Sequence, residues 1–92
     1  MTITNINGTS GLKCKCGSWL DHWKKFSKQS VTYCCEKSCI NTDLVGAHVR
    51  KGILDSKWYI IPLCNKHNLA GESLEISDVY TLVSANQSDT CQ

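Results

Sequence analysis

The chain is poor in the features that would place it in several large classes of protein. It has one proline, Pro62, one phenylalanine, Phe26, and six glycines, and it contains no repeat and no low-complexity tract. This excludes collagen-like, proline-rich and solenoid architectures. No apolar run approaches the ~20 residues of a membrane-spanning helix, so a membrane is not an expected partner. Net charge is only +2, too small for a global field that would attract nucleic acid, so any basic surface must be local. The opening Met1–Gly8 has neither the positive region nor the apolar stretch of a secretory signal, and a cytoplasmic location is expected.

What the sequence does have is cysteine: seven in 92 residues. A chain this short makes one domain, here 1–92, and a core of that size is marginal without a disulfide, a metal or a partner. With 41% hydrophobic and 20% charged residues it is globular in composition. Seven is odd, so a fully oxidised chain would leave one thiol over. The cysteines also lie at short spacings beside histidines, which disulfides do not require. Reduced, metal-bound thiols are the expected state.

Local patterns suggest the elements. Ser18 reads as a helix N-cap with Asp21 three residues on, followed by Trp19, Leu20, Trp23 and Phe26 at helical spacing and by Lys24, Lys25 and Lys28. A short amphipathic helix over Ser18–Lys28 is expected, its aromatics facing a core. Met1–Gly11 reads as a loose leader or an edge strand, and Val31-Thr32-Tyr33 as β-prone. The best strand candidates are 44–49 and 57–61, joined through Gly52 and Asp55 as a hairpin, with Pro62 ending the second. Cys64–Ala70 suits a short helix stopped by Gly71. Leu74-Glu75-Ile76 and 79–83 read as further strands.

Zinc is held by four thiolate or imidazole donors, usually supplied as two close pairs. Cys64-x-x-His67 is one pair, and at the start of a helix residues three apart share a face. Cys34-x4-Cys39 is the other, with Cys35 a rival to Cys34 for one position and Cys34 preferred. Residues 40–63 between the pairs have the length of one hairpin that folds back on itself. A cysteine knuckle, a β-hairpin and a Cys-x-x-His at a helix start form the treble-clef order. The expected fold class is therefore a small α+β treble-clef zinc domain with an additional N-terminal amphipathic helix. Cys14, Cys16, His22 and Cys91 are enough donors for a second zinc joining the chain ends.

Gly46-Ala47-His48-Val49, a hairpin, and Pro62-Leu63-Cys64-x-x-His67-Asn68 together resemble the ββα-metal core of the HNH (His-Me finger) endonucleases over roughly residues 33–70. The resemblance implies a structural zinc on Cys34, Cys39, Cys64 and His67. It further implies His48 as general base and Asn68 as the helix residue beside a catalytic divalent cation such as Mg²⁺. The sequence departs from the family at Ala47, where an acid or second histidine usually precedes the base, and in a hairpin loop whose one acid is Asp55 and which has no central asparagine.

Three readings of function follow. The first is a zinc-binding, HNH-like, nucleic-acid-binding protein with weak or absent nuclease activity, which Lys13, Lys15, Arg50, Lys51 and Lys57 around the knuckle and hairpin would serve. The second is an active, metal-dependent endonuclease. The third is a zinc-stabilised protein-interaction or inhibitory module of phage or mobile-element type.

Overall fold

The computed structural model describes residues 1–6, 18–52, 57–69 and 73–85. Over these described residues it is a small mixed α/β fold with one antiparallel five-stranded sheet and two helices. The elements in chain order are β1 (Thr2–Asn5), α1 (Trp19–Ser27), β2 (Leu44–Arg50), β3 (Tyr59–Cys64), α2 (Asn65–Asn68), β4 (Ser73–Glu75) and β5 (Val83–Ser84). The sheet order is β4-β1-β2-β3-β5. Gly71 and Asp55, assigned above to a helix stop and a loop, lie outside the described residues.

The central pair is β2–β3, in register from Leu44 opposite Cys64 to Val49 opposite Tyr59. Because side chains alternate across a strand, this register sorts residues onto two faces. Gly46 and His48, with Pro62 and Ile60 opposite them, face α1. Ala47, Val49, Ile61 and Leu63 face the other way, where β1 and β4 add Ile3 and Leu74 through the pairs Asn5–Val49 and Ile3–Leu74. Both faces are covered, and β3 is accordingly buried from Ile60 to Cys64.

Four expectations need correction here. Pro62 does not end its strand but sits in its middle, opposite Gly46. The N–H of Cys35 donates to the Pro62 carbonyl at 3.1 Å, so the Pro62 backbone points away from β2. A residue's N and C=O point to the same side of a strand, so the donor that proline lacks costs no bond in the β2 ladder. The opening strand is also not an edge, because β1 lies between β4 and β2. Residues 31–33 form no strand, and the region expected as a strand over 79–83 contributes only Val83, paired with Ile60.

The outer edge of β3 is shared. Its first half pairs with β5, through Tyr59–Ser84 and Ile60–Val83. Its second half meets the cysteine-rich segment at Cys35, and that segment continues onto the far edge of the sheet. Glu36 bridges Ile76, Lys37 N–H donates to Glu75, and Ser77 N–H donates to Cys35. The knuckle thus joins β3 to the end of β4, curling the sheet and leaving less open edge for unwanted pairing.

Helix α1 begins at the Ser18 cap, whose hydroxyl accepts from the Asp21 N–H at 3.1 Å, and ends at Lys28 in the left-handed conformation with φ 57°. Trp23 is fully buried, and Trp19 and Phe26 pack against the core, while Lys24 and Lys25 are exposed. The helix approaches β2 so closely that a Cβ on Gly46 would lie 2.3 Å from the Trp19 carbonyl carbon. Glycine is required there by space rather than by φ. Residues 79–84 run alongside α1 and are tied to it. Trp23 Nε1 donates to Thr81 O at 2.7 Å, and Gln29 exchanges bonds with Val79 and Thr81.

Candidate metal centre

The four expected zinc donors come together. Cys34 is delivered by the knuckle, Cys39 by its far end, Cys64 by the last residue of β3, and His67 by α2, and their donor atoms all lie within 4.8 Å of one another. Cys39 Sγ is 3.8 Å from Cys64 Sγ, and His67 Nδ1 is 3.4 Å from Cys34 Sγ and 3.3 Å from Cys64 Sγ. A tetrahedral zinc with Zn–S of about 2.3 Å and Zn–N of about 2.0 Å has S···S edges of about 3.8 Å and S···N edges of about 3.5 Å. The donor set and its spacing both fit Zn²⁺. Cys35 lies outside the cluster, 1% exposed in the core. None of the four described cysteines is in a disulfide.

The surrounding backbone explains why the pairs meet. Cys34 N–H donates to Asn41 O at 2.9 Å and Cys39 N–H to Glu36 O at 3.1 Å, closing the knuckle into a compact loop. The short helix α2 is held from two sides. Asp43 accepts from the N–H and the side-chain amide of Asn65, and Asn5 of β1 donates to the carbonyl of His67.

Three polar residues that the spacing argument did not single out surround the donors. Asn41 Nδ2 donates to Cys64 Sγ at 3.4 Å. Glu36 Oε2 lies 3.7 Å from His67 Nε2, the ring nitrogen that faces away from the sulfurs. Ser38 holds that carboxylate, its hydroxyl donating at 3.1 and 3.2 Å and its N–H at 3.3 Å. In the sequence these three are ordinary knuckle polars, and no periodicity marks them.

Acidity is distributed unevenly over the thiols. Burial by itself raises Cys64, but the Asn41 amide, the His67 backbone N–H and the thiols of Cys39 and Cys34 outweigh it and bring it down to about 6. Burial pushes Cys34 up to about 12 against opposing backbone donors at Cys64 and Glu36. Burial likewise raises Cys35 to about 12, with Cys34 adding to it. One thiolate forms readily, and a divalent cation supplies the charge that lets its neighbours ionise as well.

The remaining candidates are placed elsewhere. His48, 6% exposed, lies beneath α1, with its ring edge-on to Trp19 at 4.6 Å and to Trp58 at 6.0 Å. Burial, and secondarily His22, lowers its pKa below the usual histidine value. Asn68 is half-buried on α2, and the one group of metal-type donors among the described residues is the Cys34–Cys39–Cys64–His67 cluster. His22 is fully buried between Trp19 and Phe26, its Nε2 2.8 Å from the Ser84 carbonyl oxygen. Its proposed companions Cys14, Cys16 and Cys91 lie outside the described residues. No described helix is long and apolar enough to cross a membrane.

Compared with protein-family models, with curated proteins and with solved structures, the chain finds no match. The geometry of the site therefore carries the functional reading.

Proposed function

We propose that the protein is a structural-zinc module in which Cys34, Cys39, Cys64 and His67 hold one Zn²⁺, on a treble-clef arrangement similar to the HNH core. The observation that carries this is the match between the donor separations and the edges of a zinc tetrahedron. The order of knuckle, β2–β3 hairpin and α2 supports the treble-clef reading. A closed set of four protein donors leaves no position for a reacting water, which is the pattern of structural zinc.

Within that reading the zinc folds the chain, and nucleic acid is its proposed partner. Arg50 and Lys51 close one side of the hairpin end and Lys57 and Trp58 the other, since the register runs out at Val49 opposite Tyr59. Trp58 is 38% exposed, and Lys51 Nζ lies 4.9 Å from the centre of the Tyr59 ring. Cations for phosphates beside an exposed aromatic for base stacking suit a single strand. The burial of His48 beneath α1 supports binding without robust cleavage, because a general base must reach its water.

The decisive experiment is elemental analysis of the purified protein together with native thiol titration. About one zinc per chain with the four cluster thiols protected from modification supports the proposal. Absence of metal, with reactive thiols, removes it. For the partner, a mobility shift of labelled single-stranded DNA that weakens steeply with salt is expected, and a salt-independent or absent shift favours the protein-interaction reading.

A further inference from the structure

Resting on the zinc reading above, we propose that Glu36 and Asn41 are positioning residues that set the metal affinity of the site. Glu36 orients the His67 ring with Nδ1 toward the sulfurs, and Asn41 fixes the position of Cys64 Sγ. Neither is a ligand; each acts through one.

A histidine that ligates through one ring nitrogen must carry its proton on the other, and an acceptor placed there selects the tautomer, fixes the ring plane and raises the basicity of the ligating nitrogen. His67 presents Nδ1 to the sulfurs and Nε2 to Glu36 Oε2 at 3.7 Å, an ion-pair distance that leaves the carboxylate as the acceptor facing that nitrogen. The carboxylate is preset. Ser38 donates to both of its oxygens, and the Glu36 backbone is fixed by its bridge to Ile76 and by the Cys39 N–H. The two side chains are 16% and 18% exposed, so the interaction is only partly screened. The Asn41 amide, which lines a groove together with Glu36 and His67, donates to Cys64 Sγ at 3.4 Å. A donor to a thiolate stabilises the anion that the metal needs without competing for the metal. The same short loop thus supplies two ligands, Cys34 and Cys39, and the groups that orient the other two. The pair that arrives from β3 and α2 is oriented by residues that arrive with the knuckle, so the site is complete only when both halves of the fold have met.

The test is zinc affinity, measured by competition with a chromophoric chelator on the full chain, for wild type, Glu36→Gln, Glu36→Ala, Asn41→Ala and Glu75→Gln. Glu75 lines the same groove as Glu36 and His67 and serves as a control for general charge. Glu36→Ala is expected to lose 10- to 100-fold in affinity, Glu36→Gln less, since its amide oxygen still accepts, and Asn41→Ala about tenfold. Glu75→Gln should stay within about threefold of wild type. In zinc-saturated wild type, ¹⁵N spectra of the imidazole should show Nδ1 bound and Nε2 protonated, with the Nε2–H signal shifted in Glu36→Ala. Equal affinity for wild type and Glu36→Ala, an unshifted Nε2–H, or a loss in Glu75→Gln as large as that in Glu36→Gln overturns the proposal. Should Glu36→Ala not fold even with excess zinc, the isosteric Glu36→Gln decides the matter by the same two readouts. A wild type that takes up no zinc is a different result: it removes the parent reading before any variant is compared.

Discussion

Cys34 and Cys35 are neighbours in the chain that face different environments: Cys34 Sγ lies 3.4 Å from His67 Nδ1, whereas Cys35 is 1% exposed in the apolar core. The Cys35 backbone is fixed by two hydrogen bonds, its N–H donating to Pro62 O and its carbonyl accepting from the Ser77 N–H, where the chain bends into the knuckle. One cysteine is thereby turned to the donor cluster and the next to the interior. Each has its own consequence on mutation.

Cys34→Ser is expected to lose stoichiometric zinc, while Cys35→Ser keeps it and loses stability by about 1–3 kcal/mol, the usual cost of a buried hydroxyl without a partner. Zinc content and chemical denaturation of the two variants, made side by side, check this. Zinc retained in Cys34→Ser and lost in Cys35→Ser would reverse the assignment.

Cys64→Ser, or incubation of wild type with a strong chelator, should unfold much of the protein, because Cys64 ends β3 and begins the turn into α2. Metal binding and folding are coupled in domains of this size. Circular dichroism with and without chelator measures it. A chelated protein that keeps its spectrum and its cooperative melt would contradict the prediction.

Gly46→Ala should be among the most damaging small substitutions. The added methyl would sit 2.3 Å from the Trp19 carbonyl carbon and 2.5 Å from the Leu20 nitrogen, both backbone atoms of α1. Backbone cannot swing aside as a side chain does, so α1 must lift off β2. A loss of about 1–3 kcal/mol or more is expected, with increased tryptophan exposure by fluorescence. Zinc binding in the folded fraction should survive, since α1 contributes no donor.

Lys28 holds the left-handed position after α1 with φ 57°. Lys28→Gly should therefore be neutral or stabilising, by up to about 1 kcal/mol, through relief of the Cβ penalty at a helix C-cap. Thermal denaturation reports it, and a marked loss of stability would show that the lysine side chain has another role.

His48 gives the stability a pH dependence of defined sign. Its folded pKa lies below the ordinary 6.5, first through burial and then through His22. In the window below about 6.5 the unfolded chain takes up a proton that the folded chain resists, so stability falls as pH drops and is regained as pH rises above that value. His22 is the titratable neighbour on the packed helix. Denaturation of wild type and His48→Gln at pH 7.5 and 5.5 isolates the effect, because acid loss of zinc is common to both. The variant should show the smaller difference between the two pH values.

Chemistry carried by residue type and short spacing is legible in this chain without a structure. Cys64-x-x-His67 at a helix start, Cys34-x4-Cys39 upstream of a hairpin, and the Ser18-capped helix with its aromatic stripe are each set by interactions within a few residues. What depended on distant partners was not legible. β1 became an inner strand because β4, some seventy residues away, pairs with its other side. Pro62 continued its strand because the knuckle met it on the edge where a missing N–H costs nothing. Glu36, Ser38 and Asn41 gained their place at the cluster only when knuckle, β3 and α2 converged. Local sequence determines which side chains offer a lone pair or an apolar face. Which atom each of them meets is decided by the closure of the sheet, a set of contacts that no short window of sequence contains.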